Sequence, residues 1–91
     1  MTVEVRLPTL LRVHADGASA IQADGATIGE VFAGLTVAYP GLAGQLVDET
    51  GTLHKFVNVY VNDDDIRYLE QLDTPVGDRD VISILPAVAG G

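Results

Sequence analysis

The sequence predicts an α+β roll in which a mixed sheet of about five strands carries one main helix on one face. Three observations predict it. The chain opens on a strictly alternating stretch, Thr2-Val3-Glu4-Val5-Arg6-Leu7, the period of a half-buried strand. A single capped amphipathic segment follows, starting at Thr27. The last regular stretch, Val81-Ile82-Ser83-Ile84-Leu85, is apolar almost without alternation, which suits a central strand with little solvent on either side. Placing that final strand beside the first, with the helix across one face, gives a roll of the β-grasp kind. Ninety-one residues make one domain, 1–91, with one core burying roughly 60–65% of the unfolded surface.

Each element has its own warrant. Pro8 stops the first strand, and Thr9 to Gly17 reads as a loop. Ser19-Ala20-Ile21-Gln22-Ala23 is a weaker second strand, antiparallel to the first and closed by the turn signal Asp24-Gly25. Thr27 and Glu30 form the pattern of a capping box. Ile28, Val31, Phe32, Leu35 and Ala38 then recur at helical spacing and make one apolar face. Gly29 and Gly34 lower the helix propensity, so packing must supply the stability. Tyr39-Pro40-Gly41 ends the helix, because a residue before proline is pushed out of the α region. Gly41 to Gly51 reads as a loop with one turn around Leu42 to Leu46.

Phe56-Val57-Asn58-Val59-Tyr60-Val61-Asn62 is the strongest strand in the chain. Val57, Val59 and Val61 share the face that suits the helix, while Phe56, Asn58, Tyr60 and Asn62 share the other. Asn62 to Asp65 is a turn, Ile66-Arg67-Tyr68 a short returning strand, and Leu69 to Val76 a loop or single turn near Pro75.

Composition and charge exclude several functions. A net charge of −8 argues against nucleic acid and anionic membrane, and favours a basic protein surface as the counterpart. No apolar run reaches the roughly 18–20 residues of a membrane span, and no signal segment opens the chain. The chain has no cysteine, which removes disulfides, thiolate catalysis and thiolate metal sites and fits a cytoplasmic protein. His14 and His54 are far apart with no third ligand beside either, so no metal site is expected. Asp63-Asp64-Asp65 lacks the spaced ligands, glycine and distal glutamate of a calcium loop. Lys55 has nothing nearby to depress its pKa for Schiff-base chemistry. Gly25 and Gly29 lack the Lys-Ser/Thr of a phosphate loop.

The C-terminus is where chemistry concentrates. After Leu85 the chain leaves as Pro86-Ala87-Val88-Ala89-Gly90-Gly91, a flexible, uncharged tail of small residues that spans about 20 Å when extended. Pro86 lacks an N–H and is expected to end ladder pairing. Two glycines without Cβ fit a channel too narrow for any other residue. The tail's one functional group is the Gly91 carboxylate, ionised at neutral pH and a poor electrophile until it gains a leaving group.

The stretch Leu53-His54-Lys55-Phe56-Val57-Asn58-Val59-Tyr60-Val61-Asn62-Asp63, then Ile66-Arg67, then Asp80-Val81 through Gly91, resembles the ubiquitin-like sulfur carriers of the ThiS and MoaD family, most closely those of the CysO type. The resemblance covers essentially the whole chain. It implies a carrier, monomeric when free, that is not an enzyme and binds no cofactor itself. An E1-like adenylating enzyme and sulfurtransferase, using ATP and Mg, would adenylate Gly91 and convert it to a thiocarboxylate. In the CysO-type pathway a PLP-dependent cysteine synthase accepts that sulfur, and a JAMM-type zinc metallopeptidase releases the cysteine left on the carrier.

Pro86, Ala87, Val88, Ala89 and Gly90 would enter each partner's active site, and Phe56 and Tyr60 would dock the sheet on the partner. Three alternatives stand beside this one. The small subunit of molybdopterin synthase uses the same terminal thiocarboxylate, with tails that often carry two consecutive prolines where this chain has Pro86-Ala87. A ubiquitin-like modifier would join target lysines through Gly91, with Lys55 the only lysine available for chains on itself. A plain interaction domain would carry an inert tail.

Overall fold

The computed structural model describes residues 2–47, 52–54 and 57–86. Strands β1 (Thr2–Arg6), β2 (Ala20–Asp24), β3 (Val57–Val61), β4 (Asp64–Asp65) and β5 (Val81–Pro86) form one sheet in the order β2-β1-β5-β3-β4. The helices are α1 (Thr9–Arg12), α2 (Ile28–Ala38) and α3 (Ala43–Leu46). β1 and β5 run parallel, and every other pairing is antiparallel. The first and last strands therefore lie side by side at the centre, as the β-grasp pattern requires.

Alternation along the strands decides which face is buried. Val3 and Val5 of β1, Val57, Val59 and Val61 of β3, and Ile82 and Ile84 of β5 all point into the core. Ile28, Val31, Phe32 and Leu35 of α2 join the same cluster, so the predicted helical face is the packed one. Ala38 is exposed and lies outside it. At the helix start, the Thr27 hydroxyl accepts from the Glu30 amide at 3.2 Å, as predicted. The Glu30 carboxylate returns one residue further back than in a capping box, to the Ala26 amide at 3.2 Å. Beside it, Val76 N–H donates to the Ala26 carbonyl and Ile28 N–H to that of Thr74, so the 74–76 segment braces the entry to α2.

Five expectations need correction. Thr9 to Gly17 is not a loop: α1 and a 3-10 turn, Val13–Ala15, bury Leu11 and Ala15. The turn expected around Leu42 to Leu46 is real but longer, a 3-10 turn over Pro40–Leu42 running into α3, and it buries Leu42 and Leu46 completely. Ile66–Tyr68 is a 3-10 turn rather than a strand, because the Asp65 carboxylate accepts from the Arg67 amide at 2.8 Å and curls the backbone. The last strand is central, yet it is not covered on both faces, since Leu85 is 47% exposed. Pro86 belongs to this strand as well, in register opposite Val57, so pairing extends one residue past the predicted stop.

Candidate functional site

Two features of the sheet converge at one end: its open face, and the point where the chain leaves β5. The register builds the open face row by row. Arg6, Ser83, Tyr60 and Asp65 lie across from one another on β1, β5, β3 and β4. Leu85 and Asn58 pair in the next row toward the end of β5. Tyr60 is half-buried on this face, as its position in the alternation requires. Phe56, the other predicted docking residue, and Ala87 to Gly91 of the tail lie outside the described residues.

Side-chain hydrogen bonds hold the start of β5 and, beside its end, the start of β3. At the start of β5, Asn62 occupies the left-handed region (φ 59°), and its side chain accepts from Val81 N–H at 3.1 Å and donates to Asp80 at 3.1 Å. The other Asp80 oxygen accepts from Gly77 N–H at 2.8 Å. Near its end, the Arg67 guanidinium spreads over the beginning of β3, donating to Asn58 Oδ1 at 2.8 Å and to the Val57 carbonyl at 2.8 Å. A longer bond reaches the His54 carbonyl at 3.4 Å. Arg67 was part of the resembling stretch with no role given to it; its fork of donors fixes the strand that flanks Pro86.

Two clefts flank Pro86. One, about 460 Å³, runs over the end of β1 and the start of α1, with Arg6, Leu10, Arg12, Leu85 and Pro86 among its walls. The other, about 220 Å³, lies between Leu11, Gln45, His54 and Val57, with Pro8, Leu10 and Pro86 shared. The sequence reading passed over Leu10 and Leu85. Leu85 was legible in principle, because it shares its side of the strand with Ser83 and not with Ile84.

The remaining tempting residues are placed elsewhere. His14 packs against Gly41, where an added Cβ would come within 2.8 Å of His14 Nδ1. Asp65 caps the turn at Arg67. Among the described residues no three His, Asp or Glu side chains converge as metal ligands, and no helix is long and apolar enough to cross a membrane.

A ubiquitin-like β-grasp domain whose central strand leads into a small-residue Gly-Gly tail defines a carrier-type protein. Comparison with known proteins agrees. The family model described as "ThiS family" matches residues 5–91. The chain is 46% identical to the sulfur carrier protein CysO of Mycobacterium tuberculosis, covering 100% of both chains. It superposes on the Amycolatopsis orientalis BexX/CysO complex with a TM-score of 0.89, at 45% identity and covering 98% of this chain and 99% of that one. It is also 40% identical to small archaeal modifier protein 3 of Haloferax volcanii, over 75% of this chain and 73% of that protein. The chain belongs to the ThiS family. Within it, the chain is a CysO-like sulfur carrier and not an enzyme.

Proposed function

We propose that this chain carries sulfur on the carboxylate of Gly91 and delivers it to a PLP-dependent cysteine synthase. One observation supports the reading above the rest: full-length likeness to CysO carriers coincides with a tail that follows directly on the central strand. In this account a Gly91 oxygen attacks the α-phosphate of ATP on an E1-like enzyme, and pyrophosphate leaves. A persulfide sulfur then attacks the acyl carbon and expels AMP. A thiol reduces the resulting acyl disulfide and frees the thiocarboxylate. The chain's own contribution is reach and fit: Pro86, Ala87, Val88, Ala89 and Gly90 carry the terminus into successive active sites. Tyr60 and Phe56, together with half-exposed Leu85, would hold the sheet against each enzyme. A JAMM-type peptidase would release the finished cysteine. Absence of cysteine suits action in the cytoplasm with sulfur carried only on the terminus.

The relative crystallised with BexX shows that a CysO carrier forms complexes, and supports a partner protein here too. A second reading, conjugation of Gly91 to protein lysines, is favoured by the likeness to the archaeal modifier. Pyrophosphate exchange separates activation from everything downstream. An E1-like enzyme that activates CysO-type carriers should exchange labelled pyrophosphate into ATP only when the full chain is present. Equal exchange with a chain lacking Gly90 and Gly91 would remove Gly91 from the chemistry.

A further inference from the structure

The larger cleft beside Pro86 has a composition at odds with the rest of the chain. The protein carries 13 acidic and 5 basic residues besides its histidines, yet two of those five, Arg6 and Arg12, line this one cleft. Leu10, 73% exposed, and Leu85 lie with them. Arg6 gives its Nε to Glu4 at 2.6 Å, which leaves both terminal nitrogens of the fork for another acceptor. Arg12 donates its Nε to the Leu7 carbonyl at 3.1 Å and has no carboxylate partner among the described residues.

Five acidic residues lie toward the other end of the sheet, while Glu4 is paired with Arg6 itself. Asp24 pairs with Thr2 at the start of β1, while Asp63 and Asp64 follow β3 and Asp78 and Asp80 precede β5. Six residues of strand separate that end from Pro86, about 20 Å. This is roughly two Debye lengths at physiological salt, so the distant carboxylates barely repel an anion at the cleft. Net charge alone points to a basic counterpart, but the cleft at the tail's root is lined by two guanidinium groups.

We infer that the cleft formed by Arg6, Leu10, Arg12 and Leu85 receives an acidic, aliphatic-bearing peptide segment of the enzyme that accepts the tail. The inference rests on the carrier reading, since it is the departure of the tail beside Pro86 that brings an enzyme surface onto this cleft. Charge complementarity selects the carboxylates, which two guanidinium forks bind bidentately. Exposed Leu10 and Leu85 select the aliphatic side chain, for a small free anion would gain nothing from them. The acidic end then trails away from the partner, and the charge pattern orients the carrier tail-first.

The test uses the full 15N-labelled chain and a blocked peptide, Gly-Glu-Leu-Glu-Gly, with its lysine-for-glutamate counterpart as control. The acidic peptide should give saturable NMR shift changes at Arg6, Leu10, Arg12 and Leu85, weakening as salt rises. Arg6→Gln with Arg12→Gln should bind about tenfold more weakly, the combined effect of two exposed charge contacts. Arg6→Lys with Arg12→Lys, which keeps the charges but not the forks, should bind with an affinity between the wild type and the glutamine variant and report that folding is intact. No saturable shift, an equal response to the lysine peptide, or shifts centred on Arg67 or Arg79 would overturn the inference. Concentration-dependent shifts without peptide, linking the cleft to Asp63 and Asp64, would also overturn it in favour of a second copy of the chain. The titration needs no ATP or sulfur, so its failure leaves the carrier reading standing, and failed adenylation leaves the cleft untouched.

Discussion

Ile84 and Leu85 are neighbours in the central strand and should behave as opposites. Ile84 is 1% exposed and Leu85 47%. Truncating Ile84 to alanine removes about three methylene equivalents at about 0.8 kcal/mol each, and the residual cavity adds to that. The total is about 3–4 kcal/mol, a large share of the 5–15 kcal/mol typical of a domain. At roughly 4–8 °C per kcal/mol for a domain near this size, the melting temperature should fall by more than 10 °C. Leu85→Ala starts from a half-exposed side chain in a cleft that need not collapse. About half of the same transfer term remains, roughly 1 kcal/mol, with little cavity contribution. Urea unfolding followed by far-UV circular dichroism measures both. Leu85→Ala should also weaken binding to the activating enzyme, while Ile84→Ala should change it only in proportion to unfolding. Equal destabilisation by the two substitutions would refute the reasoning, because it would mean that both faces of β5 are buried in solution.

Two further outcomes follow from local geometry. Thr27→Ala removes the hydroxyl that accepts from the Glu30 amide and should lower stability by about 1 kcal/mol, with Thr27→Ser restoring most of it in the same urea assay. Arg67→Ala removes the bonds to Asn58 and the Val57 carbonyl; exposure limits the global loss to about 1 kcal/mol, but amide exchange at the start of β3 should accelerate more than at its end.

Much of this fold was legible because local and long-range signals agreed. The period of two in β1 and β3, the cap at Thr27 and the apolar stripe of α2 each predicted what packing then required. The misses were elements too short to show a period. α1 has four residues after a proline, so Leu11 in a core contact looked no different from Leu10 in solvent. Ile66-Arg67-Tyr68 has strand-forming side chains, and the deciding feature was a single carboxylate, that of Asp65, two residues from the amide it captures. The candidate site divides the same way. The tail was legible as chemistry from its residues alone. The cleft at its root was not, because it is assembled from β1, α1 and β5, which only the register brings together.

The most direct test of the account is the mass of the C-terminal peptide after incubation with ATP, the E1-like enzyme and a sulfur donor. The account predicts a gain equal to the replacement of one oxygen by sulfur, localised to Gly91 and separable from oxidation of Met1. A terminus that is adenylated but never gains sulfur, and instead appears amide-linked to lysines of other proteins, would contradict the sulfur-carrier reading and establish the modifier in its place.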